Sequence, residues 1–576
     1  MPTQGAFTFV LHSHLPYARQ AGMWPHGEEW VHEALAETYL PLLDALNELR
    51  DDGVPFRLTI GITPILAEQL GDPLIIEHFI HYASERAAWA AADITRFEAA
   101  GEDQLAALAR FYHHWYARNL TNFRDRYNKD VLGAFKTLQD DGFIEIATSA
   151  ATHGYLPLLS RDSSIYGQIA TGKQTYRRWF GRDPRSIWLP ECAYRPAELD
   201  TSVEPPVRRP GIESFLAAQG IHAFFSETHT VEGGRPVGKA AGDAIGPYGV
   251  FTRANTEPLT PTERREPGTT YLPYWVGDAP GQTAVLARNN RTGQQVWSGE
   301  HGYPGEASYR EFHRKDPVSG MQYWRITGPK VDLGDKQPYD PEAAAGKVLD
   351  HSRHFAWLVA DLLREYHEET GQTGIISAAY DTELFGHWWF EGVTWLKEVL
   401  RALAGMETVE LTTAEGIIKN HTPERVLDLP ESSWGAGGDH STWLNPETEW
   451  MWPVIHAAER TMEDLVRRYP NASGDRLGVL NQTARELLLL QSSDWPFLVT
   501  TGQAKEYATE RFQEHVDRFN QLAELAAVDG DLSSDQQAFL SGLKDRDNPF
   551  SDIDYTVFAK RQGHAEVEPV PPSRVG

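Results

Sequence analysis

Cysteine is almost absent from this sequence, since Cys192 is the only one in 576 residues. A single cysteine cannot form a disulfide within the chain, which is typical of proteins in a reducing cytoplasm. No apolar run approaches the roughly 20 residues that cross a bilayer. The start, MPTQGAFTFVLHSHLPY, lacks the basic stretch and the cleavage site of a signal peptide. We therefore expect a soluble, cytoplasmic protein without a membrane partner, and we expect it to be a monomer.

Positive charge is also scarce. The chain has 53 Lys and Arg against 81 Asp and Glu, a net charge of −28, so it would repel the phosphates of nucleic acids and of anionic membranes. Aromatic residues are abundant instead, with 18 Trp and 22 Tyr. Because aromatic rings stack on the apolar faces of sugars, this composition favours a carbohydrate over a nucleic acid as the partner.

Short β-rich segments recur along the chain, several of them with helical patterns between. They are residues 7–11, 56–62, 143–149, 186–190, 222–227, 283–288, 374–380 and 409–413. Alternating strands and helices predict a parallel α/β sheet, and this many repeats predict a closed barrel. The polar residues that follow these strands should then lie together at the carboxyl ends, where such barrels carry their active sites.

Other regions interrupt this alternation. Residues 73–140 have a helical pattern, and residues 229–282 are rich in Gly, Pro and Thr with little periodicity, which predicts a long loop. After about residue 440 the pattern is wholly helical. The domains that we expect are a barrel (1–72 and 141–430), a helical insertion (73–140), a helical C-terminal domain (431–560) and a disordered tail (561–576).

Glu191 and Cys192 stand side by side in WLPECAYRP, directly after a predicted strand. Cys192 as a nucleophile would need a neighbouring base, and no local signature supplies one, so we expect a small buried residue. Glu191 lies near Trp188 in the sequence, in an aromatic and partly desolvated setting that suits a reactive carboxyl group. The alternative is a structural carboxylate paired with Arg195.

Asp381 is the second candidate carboxyl group. It follows a predicted strand in AAYDTELFGHWWFEG, where Trp388 and Trp389 would suit a glucan groove, although we expect one of them to be a core residue. Glycosidic chemistry requires two carboxyl groups, one as nucleophile and one as general acid and base. Glu191 and Asp381, each at the end of a barrel strand, could supply them.

His12 and His14 form an HxH pair at the end of the first predicted strand. Such a pair can hold a metal, but no Asp or Glu follows nearby at a recurring metal spacing, so substrate binding and a structural role stay open as well. The glycine-rich stretch SSWGAGGDHSTWLN (432–445) could cradle a phosphate, but it lacks the lysine and the ordered glycine spacing of such loops.

Taken in order, these motifs resemble glycoside hydrolase family 57, and within it the 1,4-α-glucan branching enzymes. The resemblance covers roughly residues 7–525 and rests on VLHSHLPYARQAGMWPHGEEW, ATHGYLPLL, WLPECAYRP, YDTELFGHWWFEG and QSSDWPFL. It implies a distorted (β/α)7 barrel with a helical insertion and an all-helical C-terminal domain, so one of the eight strand segments would lie outside the barrel. It also implies that neither a metal nor another cofactor is needed.

The resemblance implies a retaining enzyme in which Glu191 is the nucleophile and Asp381 the acid and base. It would cleave α-1,4 bonds of amylose or glycogen and transfer the cut segment to a 6-hydroxyl, which forms an α-1,6 branch. The residues implied in substrate binding are His12, His14, Trp30, His153, Arg288, Gly305, Trp434 and Asp494. Tyr248 is the candidate for a tyrosine on a lid loop, but residues 229–282 form a longer segment than the family's loop.

Other functions remain open at this point. A family-57 α-amylase or 4-α-glucanotransferase would use the same two carboxyl groups. A glucan-binding protein without activity would keep the aromatic groove, and a metal-dependent amidohydrolase or deacetylase would use the HxH pair.

Overall fold

The computed structural model describes residues 3–201, 206–236, 242–246, 249–253, 256–257, 267–277, 281–297 and 302–560. Within these ranges the chain builds a barrel of parallel strands, helices inserted into it, and a C-terminal group of helices. Among the described helices, none combines the length and the apolar character that a bilayer crossing requires. The predicted tail, residues 561–576, lies outside the described residues.

Seven parallel strands form the barrel. They are β1 (Gly5–Ser13), β2 (Leu58–Ile62), β3 (Ile144–Ala147), β4 (Ser186–Ile187), β5 (Ala223–Ser226), β6 (Ala284–Ala287) and β7 (Gly374–Asp381). Strands β7, β1, β2 and β3 pair in one run, and β4, β5 and β6 pair in another. Parallel bridges between Thr148 and Ile187 and between Arg288 and Ser377 join the two runs. The ring is therefore closed, as a distorted (β/α)7 barrel.

The eighth predicted strand lies outside this ring. β8 (Val409–Leu411) pairs with Gly5–Phe7 of β1, whereas β2 pairs with the other end of β1. This confirms that one of the eight strand segments is not a barrel strand. The remaining short strands are Glu198–Asp200, Val207–Arg209, Arg235–Pro236, Gly242–Gly246, Gly249–Arg253, Thr256–Glu257, Tyr274–Val276 and Val426–Leu427.

Several of these short strands fall within residues 229–282, where the sequence predicts a loop. Gly242–Gly246 pairs with Gly249–Arg253, and Tyr274–Val276 pairs with β6. The structure differs from the prediction here because strands of two to five residues leave too short a pattern to be recognised from the sequence.

Alternation along the strands separates the barrel interior from the layer outside it. Because successive side chains of a strand point to opposite faces, every second residue faces inward. On β1, Phe7, Phe9 and Leu11 pack against the surrounding helices. The inner set meets side chains of four other strands, of the segment after β4 and of the helix Ala414–Asn420 in one cluster, which comprises Ala6, Val10, Ala147, Trp188, Cys192, Phe225, Leu286, Ile375, Ala379, Ala414 and Ile417.

The helices follow the strands and fill the two additional regions. They are α1 (Glu28–Ala34), α2 (Leu40–Asp51), α3 (Pro64–Leu70), α4 (Pro73–Ala100), α5 (Asp103–Thr121), α6 (Val131–Asp140), α7 (Asp162–Phe180), α8 (Ile212–Ala218), α9 (Thr228–Glu232), α10 (Asn290–Trp297), α11 (Pro341–Thr370), α12 (Gly392–Ala404), α13 (Ala414–Asn420), α14 (Met451–Arg468), α15 (Gly474–Leu490), α16 (Asp494–Thr501), α17 (Lys505–Ala526) and α18 (Ser534–Arg546). A π-helical turn, Leu35–Tyr39, joins α1 to α2.

Helices α4, α5 and α6 occupy the segment that the sequence assigns to an insertion. Asp72 begins α4 by accepting hydrogen bonds from the N–H groups of Leu74 and Ile75, and Gly101 ends it with a φ of 72°. A residue without a Cβ suits this left-handed position. Helix α5 then packs back along α4. The domain boundaries themselves stay a prediction.

The C-terminal helices α14 to α18 pack directly on the barrel. Their apolar side chains share one core cluster with Ile187, Phe224 and Val285, which lie on the outer faces of β4, β5 and β6. This contact is extensive enough to hold the start of α16 at the open end of the barrel, where it contributes side chains to the site described next.

Candidate active site

Polar residues occupy the inward-facing positions at the carboxyl ends of the barrel strands. His12 continues the inward set of β1, and Asp381, its register partner, continues that of β7. Glu227 and Arg288 follow β5 and β6 with the same alternation, and they form an ion pair with 2.6 Å between Glu227 Oε1 and Arg288 Nε. Active sites of α/β barrels are built at this end.

Glu191 lies just beyond β4, in a strained turn. Its φ of 61° and the φ of 49° at Cys192 are left-handed, which costs roughly 1–3 kcal/mol per residue and is characteristic of functional sites. The N–H of Trp434 donates to the carbonyl of Glu191 at 3.0 Å, and the indole Nε1 donates to Glu191 Oε2 at 2.6 Å. Trp434 therefore fixes both the backbone and the carboxyl group.

Glu191 does not pair with Arg195, in contrast to the structural alternative. Arg195 contacts Glu198 at 3.3 Å and donates to the carbonyl of Pro210. The side chain of Glu191 is only 12% exposed. Removal from water raises the pKa of Glu191 to about 7, with the nearby charges of Asp494 and Asp381 adding to the rise.

Asp381 and Glu383 are the other two carboxyl groups of the site. Removal from water raises the pKa of Asp381 to about 7, against the opposing charges of His14 and Arg288. Burial likewise raises the pKa of Glu383 to about 7 despite a hydrogen bond from Tyr39, and the charge of Asp381 contributes to the rise. Three carboxyl groups with raised pKa values thus lie at one end of the barrel.

A chain of hydrogen bonds joins two histidines to Glu191. His12 Nε2 lies 3.1 Å from His153 Nε2, His153 Nδ1 lies 2.9 Å from Ser493 Oγ, and Ser493 Oγ donates to Glu191 Oε1 at 3.2 Å. Burial, with the charge of His14, lowers the pKa of both His12 and His153 and keeps them neutral. One tautomer on each ring satisfies every bond: His12 donates to His153, and His153 donates to Ser493.

His14 is paired with Asp494 in the site. Its Nδ1 lies 3.1 Å from Thr63 Oγ1, and its Nε2 lies 3.0 Å from Asp494 Oδ1. Burial alone would lower the pKa of His14, but the carboxylate of Asp494 outweighs it and raises the pKa. In the described part of the chain, no group of three or more potential metal ligands includes His12 or His14.

Cys192 is buried beside Glu191. Burial raises the pKa of its thiol well above the usual value, and the charge of Glu227 adds to the rise. The thiol is therefore protonated at neutral pH and is a poor nucleophile. This agrees with the expectation of a small buried residue.

Three predicted residues lie apart from the two carboxyl groups or outside the described chain. The ring of Trp30 is 5.5 Å from that of Tyr507, which lies on α17. Gly305 ends a 3-10 turn, Tyr303–Gly305, and no hydrogen bond of the described residues joins it to Glu191 or Asp381. Tyr248 lies outside the described residues.

The Trp388–Trp389 pair is divided between core and surface, as the sequence predicts. Trp389 is 2% exposed, whereas Trp388 is 50% exposed. The ring of Trp388 stacks on that of Phe312 with 4.4 Å between centroids. The exposed ring of Trp388, supported by the half-buried Phe312, offers a flat apolar surface of the kind that sugars use.

Five residues of the site are missing from the sequence-based assignment, and one of them is Glu227, which follows β5 and pairs with Arg288. Ser493 lies in the motif QSSDWPFL and Glu383 in YDTELFGHWWFEG, where only the neighbouring Asp494 and Asp381 are assigned. Thr63 follows β2 at a position that faces the barrel interior. Tyr39 lies in a π-helical turn, and its hydroxyl donates to Glu383. The alternation along β2 could have identified Thr63, but no signal in the sequence points from Tyr39 to a carboxyl group 344 residues away.

Comparison with known proteins agrees with this geometry. Residues 8–430 match the model of glycosyl hydrolase family 57, and residues 454–558 match that of the 1,4-alpha-glucan branching enzyme C-terminal domain. The chain is 46% identical, over 552 residues, to a 1,4-alpha-glucan branching enzyme of Thermococcus kodakarensis. The aligned region covers 96% of this chain and 78% of that protein.

Two solved structures resemble the whole chain. The branching enzyme of this family from Pyrococcus horikoshii is 40% identical with a TM-score of 0.85, covering 98% of each chain. An alpha-amylase from Thermotoga maritima is 29% identical with a TM-score of 0.80, covering 97% of this chain and 99% of the other. The family model spans the barrel that carries both carboxyl groups, so the chain belongs to glycosyl hydrolase family 57.

Proposed function

We propose that this chain is a retaining 1,4-α-glucan branching enzyme in which Glu191 is the nucleophile and Asp381 the general acid and base. The observation that carries the proposal is the pair itself. Asp381 ends β7 and Glu191 lies just beyond β4, both are withdrawn from water, and the charge of Asp381 contributes to the raised pKa of Glu191. The match of the C-terminal helices to the branching-enzyme model favours branching over the related activities.

In the first step, the ionised carboxylate of Glu191 attacks the anomeric carbon of a glucose unit within an α-1,4 chain. The bond from this carbon to the leaving 4-oxygen breaks, and the proton of Asp381 passes to that oxygen. A glycosyl ester on Glu191 results. Trp434 and Ser493 hold the carboxyl group for this attack, because both donate to its oxygens.

In the second step, Asp381 takes the proton of a 6-hydroxyl on an acceptor glucose. The oxygen attacks the anomeric carbon, the ester bond breaks, and Glu191 regains its carboxylate. Two inversions at the same carbon retain the α configuration, and the new bond is an α-1,6 branch. Because the proton that Asp381 loses in the first step returns in the second, the cycle is balanced.

The other site residues are proposed to bind and orient the glucan. His12, His14 and His153 surround the carboxyl groups, Arg288 and Asp494 contribute charges of opposite sign, and neutral hydroxyl groups can bond to each of them. Trp434 offers a ring beside Glu191. Trp30 and Gly305 are proposed to contact glucose units of the glucan that lie further from the cleaved bond.

Transfer can compete with hydrolysis only when water is kept from the ester while an acceptor is bound. We propose that the segment 229–282 covers the ester and that Tyr248 is its lid residue. The support is that the backbone of Gly242–Gly246 lies against α10, the helix that follows Arg288. Tyr248 itself rests on the sequence alone.

The substrates proposed are amylose and glycogen, and the enzyme is proposed to act as a cytoplasmic monomer. The single cysteine is buried and cannot form a disulfide within the chain, which favours a reducing compartment. The large negative net charge favours a neutral polymer as the substrate over an anionic one.

The decisive experiment is to incubate the protein with amylose and to count α-1,6 linkages by NMR, with reducing ends measured in parallel. A branching enzyme forms α-1,6 linkages with few new reducing ends, and Glu191→Gln serves as the blank. Reducing ends without branches would instead identify an α-amylase. Redistributed α-1,4 chains without branches would identify a 4-α-glucanotransferase.

A further inference from the structure

Glu28, His32 and His78 bring their potential ligand atoms within 4.8 Å of one another. Glu28 and His32 lie one turn apart on α1 and therefore face the same side of this helix. His78 comes from α4 of the insertion. His78 Nδ1 lies 2.5 Å from Glu28 Oε2, and His32 Nε2 lies 3.8 Å from the same oxygen.

His32 has an unusual environment for a histidine. Its side chain is fully buried, and neither ring nitrogen has a hydrogen-bond partner. The rings of Phe79 and Tyr82, at centroid distances of 6.1 and 5.6 Å, pack beside it. Because a buried polar group without a partner destabilises a protein, this ring calls for an explanation.

A second cluster, formed by Glu486, His515 and Asp547, differs from the first because neighbouring arginines contact its side chains. Both nitrogens of His515 are engaged, Nδ1 with Glu486 at 2.8 Å and Nε2 with Arg511 at 3.1 Å. Asp547 is paired with Arg518 at 2.8 Å. Guanidinium groups supply positive charge there and occupy both Asp547 Oδ2 and the second nitrogen of His515, although Asp547 Oδ1 is without a partner among the described residues.

The Glu28 cluster has no such cation among the described residues, apart from its own histidines. Glu28 Oε1 accepts from the N–H of Gln20 at 2.8 Å, whereas Oε2 faces the two histidines. Oε2 is therefore the oxygen that is placed to bind a metal together with the two rings.

We propose that Glu28, His32 and His78 form a binding site for a divalent transition-metal ion of the zinc type. Two imidazole nitrogens and a carboxylate oxygen, with water in the fourth position, are a common ligand set for zinc. An ion bonded to His32 Nε2 would also give this buried nitrogen the partner that it lacks.

The distances require one adjustment. With zinc–ligand bonds of about 2.0–2.2 Å, two tetrahedral ligands lie about 3.4 Å apart. The 3.8 Å between Glu28 and His32 is close to this value, whereas the 2.5 Å between Glu28 and His78 must widen. The side chain of His78 is 36% exposed, so its ring can move outward and leave room for the ion and a water molecule.

The role of the ion would be structural. It would tie α1, which leaves the barrel, to α4 of the insertion, and it would hold in place the helix that carries Trp30. Because this site uses none of the residues assigned to the chemistry, metal removal should lower the stability of the protein and leave the reaction intact at moderate temperature.

The test is to incubate the full-length, chelator-treated protein with zinc, remove free metal, and measure zinc per chain. Cobalt(II) is a second probe, since its visible absorption reports its coordination geometry. The variants are Glu28→Gln, which changes little volume, and His78→Ala. His81→Gln is the matched control, because His81 lies on the same helix, is 74% exposed and pairs only with Glu85.

We expect about one zinc per chain in the wild type and in His81→Gln. Even loss of a second-shell partner typically lowers metal affinity by about 10–100-fold, so loss of a ligand should weaken binding by at least about tenfold in Glu28→Gln and His78→Ala. Zinc should also raise the Tm of the wild type and not that of Glu28→Gln. The proposal fails if no zinc binds, or if Glu28→Gln and His78→Ala bind it as tightly as the wild type.

Discussion

The open end of the barrel and the C-terminal helices each bury carboxyl groups beside a histidine, and the two clusters differ in what surrounds them. In the C-terminal cluster, burial and the charge of Asp547 raise the pKa of Glu486 well above its ordinary value. At the barrel, burial raises the pKa of Glu191 to about 7. A raised pKa is therefore common to both.

The two clusters differ in the solvent exposure of their carboxyl groups and in the cations that contact them. Glu486 and Asp547 are completely buried, and Arg518 and His515 contact them directly. Glu191 keeps 12% of its side chain exposed and has no Lys or Arg within ion-pair distance among the described residues. The comparison teaches that a raised pKa alone does not identify a reactive carboxyl group, because the two clusters share it and differ in solvent exposure and in the cations that contact them.

Glu191→Gln should have the largest effect and is the most direct way to break this comparison. If Glu191 is the nucleophile, branching and hydrolysis should both fall by at least about 10³-fold, since loss of a nucleophile removes the covalent route. At pH 5, where the carboxyl group of Glu191 is protonated and resembles the amide, the Tm should hardly change. Activity on amylose is the measurement, and Glu486→Gln is the control with a buried carboxyl group that should keep its kcat. Retention of a tenth of wild-type activity would place the nucleophile elsewhere.

Asp381→Asn should lower activity on glucan by about 10²–10⁴-fold, the usual contribution of general acid–base catalysis. With a glycosyl fluoride, whose leaving group needs no acid, the variant should form the ester faster than it resolves it. Mass spectrometry would then detect a glycosyl-enzyme on Glu191. If the ester fails to accumulate, the two roles are assigned wrongly.

Asp547→Asn tests the cluster in the C-terminal helices. It leaves Arg518 buried without its partner carboxylate, and breaking one side of a buried ion pair typically costs about 3–5 kcal/mol. Urea unfolding should show this loss, while kcat of the folded fraction stays at the wild-type value. Asp529→Asn, at an exposed position beside Arg476, is the control that should not change stability. A lower kcat in Asp547→Asn would mean that the cluster is coupled to the site.

The pH dependence of stability should also distinguish the wild type from Glu191→Gln. A carboxyl group whose pKa is raised from 4.5 to about 7 on folding binds its proton more tightly in the folded state, so its contribution is present below pH 4.5 and is lost as the pH rises through 7. Between pH 5 and 8 the wild type should lose on the order of 1–3 kcal/mol relative to the variant. Urea unfolding at both pH values measures it, and parallel curves would contradict the raised pKa.

His14→Gln should have the smallest effect of these changes. The charge of His14 opposes the rise in pKa of Glu191 and of Asp381, so its removal should raise both pKa values. The acid limb of the pH–activity profile should move to higher pH by about one unit. A profile displaced toward lower pH, or one lowered without displacement, would show that His14 acts by contact and not by charge.

Much of the fold and part of the site could be predicted from the sequence. The alternating strands, the two carboxyl groups that follow them and the helical C-terminal region are local patterns, and the structure has all of them. The short strands within 229–282 were beyond prediction because two to five residues carry little periodicity. Ser493 could not be assigned a role, since its partner Glu191 is 302 residues away.

The sequence by itself determined which residue types stand at the ends of the strands, because alternation and strand endings are properties of neighbouring residues. It also determined the family through motifs of eight or more consecutive residues. Only the tertiary structure decided which carboxyl groups are left without a cation, because a pKa depends on the burial and the charges that distant segments bring together. For the same reason, Glu28, His32 and His78 form a cluster only once α4 packs beside α1, and neither helix alone reveals it.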